Sequence, residues 1–247
     1  MKITQAYVSK SISDFPFHDI YKLEDYNSIY NPVVFFGCYR FEDRVLISNH
    51  KGAKIIFWTG QDAIDYNWAD DGVNESVHIT AHPKIHELFT SKGKKVKLVK
   101  PSPCLNFKNA QQLGTKIYAY CPKSAQTYHG FEFIEELKKL GYDIVIGDGS
   151  HTQEQWKYLR NGYYNDCFIG LCLSPFAGGA GSVIEMGLRG MPVITNVLNL
   201  PNCLHFETLE DIVYLIEQNK QRIGTTDEEL AQRVFNALDH SNQWLKI

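Results

Sequence analysis

Residues Phe168–Asn196 read FIGLCLSPFAGGAGSVIEMGLRGMPVITN, and their order of apolar runs and glycines sets the fold class. Phe168–Leu173 is an apolar run with the length and bulk of a buried strand, and Met191–Thr195 is a second. Between them Gly178, Gly179 and Gly181 mark a turn. A short segment follows in which Val183, Ile184, Met186, Gly187 and Leu188 have helical spacing. Gly190 stands where a helix C-terminal glycine belongs, and Pro192 prevents continuation. The spacing predicts strand, glycine loop, short helix, strand: a βαβ unit whose loop presents backbone N–H groups to an anion at a helix start. Ser182 is the candidate cap of that helix. Glu185, one turn in, lies on the same face as Gly181.

A carboxylate beside a phosphate site would repel the phosphate. It is useful there if the ligand is a nucleotide, because the ribose offers hydroxyl donors that a carboxylate accepts. A solvated helix glutamate beside a structural turn has the same spacing, so both readings stay open on these residues alone.

The stretch resembles the donor-site signature of GT-B-fold glycosyltransferases, in particular the retaining group with the pattern S-x-x-E-G-F-G-x-x-x-x-E-A-M-A-x-G-x-P-V-I. Ser174, Gly178, Glu185, Gly190, Pro192, Val193 and Ile194 fall on its positions. Ala177 stands where that group has the first glutamate of its E-x7-E pair. The resemblance implies an α/β protein of two facing Rossmann-like domains with parallel sheets and an interdomain cleft. It implies transfer of a hexosyl or pentosyl group from a nucleotide-diphosphate sugar to a glycan or lipid-linked acceptor, with Glu185 holding the ribose. The first glutamate of the group contacts the donor sugar. Its replacement by Ala177 leaves retention or inversion open.

The rest of the composition narrows the class. The chain has 247 residues, 13% of them aromatic and 21% charged, which suits a globular α/β protein with a large core. A formal net charge of −3 gives no overall attraction to nucleic acid, and no nucleic-acid partner is expected. The one basic run, Lys92–Lys100 (KGKKVKLVK), reads as a turn and a strand with a solvated face; at most it allows peripheral contact with a membrane surface or an anionic acceptor. Cys38, Cys104, Cys121, Cys167, Cys172 and Cys203 form no C-x-x-C pair and no Cys/His ligand spacing, as expected of buried thiols in a reducing compartment. With neither an N-terminal apolar leader nor a membrane-length apolar run, the expected location is cytoplasmic.

Along the chain, residues 1–31 show no clean periodicity. Strands are expected at Pro32–Cys38, Ala53–Trp58, Val77–Thr80 and Val96–Val99. Helices are expected near Glu42–Asn49 and Lys84–Lys92, and a loop over Tyr66–Glu75. Pro101-Ser102-Pro103 opens a linker, which divides the chain into an acceptor-side Rossmann-like domain, 1–105, and a nucleotide-sugar domain, 106–247. The first domain is short for the resembled family and lacks its glycine-rich first loop. The second holds strands at Lys116–Cys121 and Asp143–Ile146 before the central stretch. Its helices are expected at Gly130–Leu140, Gln153–Asn161, Leu209–Gln218 and Asp227–Leu238, with Thr208 and Thr226 as caps for the last two. Alternation of this kind implies parallel sheets.

Glycosyl transfer needs the leaving diphosphate stabilised as charge develops on it. In the resembled enzymes helix N-termini and basic side chains do this, so the candidates are the loop over Gly178, Gly179, Gly181 and Ser182, then Lys123 and His129 after the second domain's first strand. No D-x-D spacing appears where a metal would be held, so neither a metal nor any cofactor beyond the sugar nucleotide is expected. An inverting enzyme also needs a base for the acceptor hydroxyl. Asp62, in Thr59-Gly60-Gln61-Asp62 beyond a buried strand, is the first candidate and His82 the second; each has a turn-fixing alternative. A non-catalytic sugar-nucleotide-binding module and a nucleotide-sugar epimerase are the competing readings.

Overall fold

The structure, a computed structural model, describes residues 2–246 except 14, 16, 67–70, 103–109, 149–162 and 177–180. These residues form two units. The first comprises Met1–Leu105 and Leu238–Ile247, with Phe176 counted to it; the second comprises Asn106–Pro175 and Ala180–Ala237.

In the first unit β1 (Gln5–Val8), β2 (Glu24–Asp25), β3 (Val33–Phe36), β4 (Lys54–Trp58), β5 (Val77–Thr80) and β6 (Lys97–Leu98) form one sheet in the order β2-β1-β3-β4-β5-β6. Every pairing is parallel. The connections carry α1 (Phe17–Tyr21), α2 (Phe41–Asn49), α3 (Gln61–Ile64), α4 (Asp71–Asn74) and α5 (Pro83–Ser91). The side-chain period of two divides the apolar runs between two cores. Val34, Phe36, Ile55 and Phe57 enter one, with Ile3, Phe17 and Tyr21; Val33, Phe35, Ile56 and Trp58 enter the other, with Ile85 and Phe89. Burial on both faces is why these strands read as unbroken apolar runs.

The segment Leu238–Ile247 belongs to this unit and not, as the sequence suggested, to the second. Trp244 and Leu245 sit in the first core, where Trp244 meets the rings of Tyr21 and Phe57 at 5.1 and 5.4 Å. Ile3 donates its N–H to the Leu245 carbonyl at 3.0 Å, and Asp239 donates to the Pro101 carbonyl at 2.9 Å. Burial of a tryptophan outweighs the short polar sequence around it.

In the second unit β7 (Lys116–Tyr120), β8 (Ile144–Gly147), β9 (Cys167–Cys172), β10 (Val193–Thr195) and β11 (Cys203–Leu204) take the order β11-β10-β9-β7-β8, again all parallel. Its helices are α6 (Phe131–Lys139), α7 (Gly181–Gly187), α8 (Leu209–Asn219) and α9 (Glu228–Ala237). All six residues of β9 are buried. At Gly170 in its middle the end of the Met186 side chain occupies the space that a Cβ would fill, so α7 packs over a glycine there. Gly190 has φ +79° and ends the helical turns as the sequence indicated.

Thr208 caps α8 as expected: its Oγ1 accepts from Asp211 N at 3.2 Å, while the Asp211 carboxylate accepts from Thr208 N at 2.9 Å. For α9 the cap is Asp227 and not Thr226, since Asp227 Oδ1 accepts from Leu230 N at 2.8 Å. The Tyr66–Glu75 loop contains the single turn α4. The helix expected at 153–161 lies outside the described residues.

Candidate functional site

Relabelled within each unit, both sheets share the order 2-1-3-4-5, and the first adds a sixth strand at its edge. In such sheets the connections leave to opposite faces on either side of one point, and the crevice this opens at the carboxyl ends receives ligands. In the second unit that point lies between β7 and β9. The residues following those strands are Cys121-Pro122-Lys123 and Leu173-Ser174-Pro175, so the loop carrying Lys123 and the loop leading into α7 leave the sheet side by side. Gly130, at φ +70°, closes the first loop against Leu173, whose Cβ would lie 2.7 Å from a Cβ added at Gly130.

Lys123 is mostly exposed and its Nζ lies 2.9 Å from Asp148 Oδ2; its backbone N–H also donates to the Asp148 carbonyl at 3.1 Å. An ion pair this exposed is weak, so the ammonium is available to a stronger anion at small cost. His129 differs from the expectation of a diphosphate cation. Its ring stands edge-on to Tyr120 at 5.2 Å, and burial pushes its pKa down to about 4. At neutral pH it is a neutral hydrogen-bonding group without charge.

Gly178 and Gly179 lie outside the described residues. Gly181 opens α7, and Ser182 is its second residue, inside the helix and not its cap. Glu185 is 2% exposed, because five of the seven residues of α7 are buried. Tyr164 donates its hydroxyl to Glu185 Oε2 at 3.0 Å. The guanidinium of Arg189, itself buried, lies 5.2 Å from the Tyr164 ring centre; its Nη1 donates to Asn165 Oδ1 at 3.1 Å and to Gln111 Oε1. Desolvation lowers the pKa of Arg189, and the nearby Tyr164 and Glu185 support its charge against it. Glu185 is therefore a member of a buried polar cluster, and the solvated helix glutamate is excluded.

Sequence reasoning missed Tyr164, Arg189 and Asp148. Arg189 left a usable trace, being the one charge in the run Met186–Ile194. Asp148 was visible only as the middle of a Gly-Asp-Gly turn.

In the first unit the carboxyl ends of β4 and β5 carry Asp62 and His82. Asp62 does not match the base expected from sequence. It is buried in its own turn, accepting the backbone N–H groups of Gly60 at 2.7 Å, Cys38 at 3.1 Å and Thr59 at 3.2 Å. Burial pushes its pKa up to about 6 against the pull of these donors. The carboxylate thus joins the loops after β3 and β4, which is the turn-fixing role. His82 is the N-terminal flanking residue of α5 and 3% exposed. Neither ring nitrogen has a hydrogen-bond partner, the ring faces Phe176 at 6.0 Å between centres, and burial pushes its pKa down to about 4. Among the described residues no three His, Cys, Asp or Glu side chains form a metal-binding group, and no helix is long and apolar enough to cross a membrane.

No family model and no curated protein matches the sequence. Among solved structures the chain is similar to TarM, with TM-score 0.60 and 13% identity, over 87% of this chain and 54% of that one. It is also similar to sucrose-phosphate synthase from Thermosynechococcus elongatus, with TM-score 0.56 and 11% identity, over 90% of this chain and 71% of the other. The chain thus spans about half the length of TarM. The likeness is one of fold: two Rossmann-like units with parallel sheets, the GT-B architecture.

Proposed function

We propose that the chain is a glycosyltransferase that binds a nucleotide-diphosphate sugar on its second unit and passes the sugar to a glycan or lipid-linked acceptor without a bound metal. The observation that carries this reading is the strand order. Within a GT-B fold, the loop of Lys123 and the loop leading into α7 flank the switch point of the second sheet, and Glu185 stands on the helix that follows. TarM and sucrose-phosphate synthase are glycosyltransferases of that fold, which supports the same general chemistry here.

In this reading the Glu185 carboxylate accepts from the ribose hydroxyls. The backbone of the Gly178–Ser182 segment and the ammonium of Lys123 hold the diphosphate. Lys123 leaves Asp148 as charge builds on the departing group, so its attraction is largest late in the reaction, where it lowers the barrier. His129 donates a hydrogen bond there without charge. On the first unit, with Asp62 committed to its turn, His82 is the group proposed to meet the acceptor, since a neutral imidazole with both nitrogens unpartnered can accept from a hydroxyl.

A second reading, a sugar-nucleotide-binding module without turnover, is favoured by Ala177 in place of the signature glutamate and by the structural role of Asp62. Incubating the protein with a panel of nucleotide sugars, with and without glycan acceptors, decides between them. A transferase releases nucleoside diphosphate from one donor, faster with an acceptor. Tight binding without release establishes the module, and no affinity for any nucleoside diphosphate overturns the site itself.

A further inference from the structure

The edge of the first unit's sheet has no part in the site above. Lys92–Lys100 contains five lysines and no acidic residue in a chain of formal net charge −3; the nearest carboxylate before it in the chain is Glu87 on α5. The segment turns at Gly93, φ +69°, and runs into β6, an edge strand, which among the described residues pairs with β5 alone. Val96 packs against one core and Val99 against the other, so the segment is seated firmly on the unit. Lys92, Lys95, Lys97 and Lys100 are exposed, and among the described residues none of the four is in an ion pair. Leu98 lies between Lys97 and Lys100, 44% exposed.

Protection of an open sheet edge accounts for one or two of these lysines. The four exposed cations Lys92, Lys95, Lys97 and Lys100 repel one another in the folded protein, and an external anion relieves that repulsion. The chemistry of the stretch selects among anions. It has no arginine to form bidentate contacts and no aromatic residue on which a base could stack, which disfavours nucleic acid. Flexible ammonium groups around an exposed leucine suit a bilayer surface. There lysines meet lipid phosphates and carboxylates while an apolar side chain enters the headgroup layer. We propose that the β6 edge docks the first unit on an anionic membrane surface.

The test is cosedimentation of the protein with phosphatidylcholine vesicles, pure or containing one-third phosphatidylserine, at low and high salt. The protein should sediment with the anionic vesicles only, and be released when salt shortens the screening length. Each lysine at the surface strengthens partitioning by about fivefold, so Lys95→Gln/Lys97→Gln should weaken it by about 25-fold. Leu98→Ser should weaken binding several-fold at every salt concentration. Lys10→Gln/Lys51→Gln, exposed lysines of the same unit outside the stretch, should leave it unchanged. All these side chains are exposed, so each variant should keep its thermal midpoint. Equal binding to neutral vesicles, or no loss in Lys95→Gln/Lys97→Gln, overturns the proposal. Lysine-dependent retention of a single-stranded oligonucleotide with no vesicle binding overturns it in favour of a nucleic-acid surface. The readout is independent of whether any sugar nucleotide binds.

Discussion

Tyr164 and Glu185, which are 21 residues apart in sequence, meet in the interior of the second unit with 3.0 Å between the phenol oxygen and the carboxylate. Neither residue is more than 2% exposed. The pair fixes Glu185 from the sheet side of α7, and the two make separable contributions. Glu185→Gln keeps the packing but removes the charge from the proposed ribose contact. It should weaken nucleoside diphosphate binding by about tenfold, the size of one charged hydrogen bond. Tyr164→Phe should cost about 1–3 kcal/mol of stability by taking a buried carboxylate's partner, with a smaller effect on affinity. Titration calorimetry with unchanged affinity in folded Glu185→Gln would remove this residue from the site.

Asp62 should behave as a structural carboxylate. Asp62→Ala leaves the N–H groups of Cys38, Thr59 and Gly60 without their acceptor and should cost about 2–4 kcal/mol in urea unfolding. Turnover per folded molecule should hardly change. Full stability with lost turnover would return Asp62 to a catalytic role.

Stability should fall as the solution is acidified from about pH 6.5 to pH 4. His78, whose Nδ1 accepts from Trp58 Nε1 at 3.1 Å, His82 and His129 are all held neutral, with pKa values pushed down to about 4 by burial. In that window the unfolded chain binds their protons and the folded chain does not, so their contribution is complete above pH 6.5 and lost towards pH 4. Asp62, pushed up to about 6, acts in the opposite sense: the folded state binds its proton first, and stability falls as pH rises through 6. Three protons against one leave a net slope of about two protons, near 2.7 kcal/mol per pH unit. His78→Gln should flatten it. Unfolding curves with no loss of stability between pH 6.5 and 4.5 would contradict the buried neutral histidines.

Trp244→Ala should unfold the first unit selectively. Emptying a core of an indole costs about 3–5 kcal/mol, and this one packs among Tyr21, Phe36 and Phe57. Scanning calorimetry should show the transition of one unit lowered and that of the other unmoved. Equal displacement of both would mean that the segment stabilises the chain as a whole.

How much of this was legible depended on which physical signal each element carries. β3, β4 and β9 are covered on both faces, and their residues read as apolar runs without reference to anything distant. β1 was invisible for a specific reason: its buried first residue is Gln5, whose amide donates to the Ser28 and Asn31 carbonyls and accepts from Asn27 and Ser28 N–H groups. A core position filled by a glutamine breaks the alternation that identifies strands. β2 and β11, two residues each, are too short to have a period.

The candidate site was legible in its anchor and less so in its surroundings. Helical spacing assigned Glu185 to a face, but spacing does not say whether a face looks to solvent or to the sheet. The burial of Val183, Ile184 and Met186 beside Glu185 decides that: the face looks inward. For Asp62, a carboxylate at a strand's carboxyl end serves equally as a base or as an acceptor for its own turn. Only the directions of three backbone N–H groups separate the two.

The return of Leu238–Ile247 to the first unit bears on synthesis. The chain leaves the ribosome from its N-terminus at roughly 5–20 residues per second. The first sheet is therefore exposed early, while Trp244 and Leu245, which complete one of its cores, emerge after every residue of the second unit. The second unit can close at once from its own contiguous strands. The unit that begins the chain is thus the last to finish, and until then its surface around Tyr21, Phe36 and Phe57 is a natural site for chaperone capture.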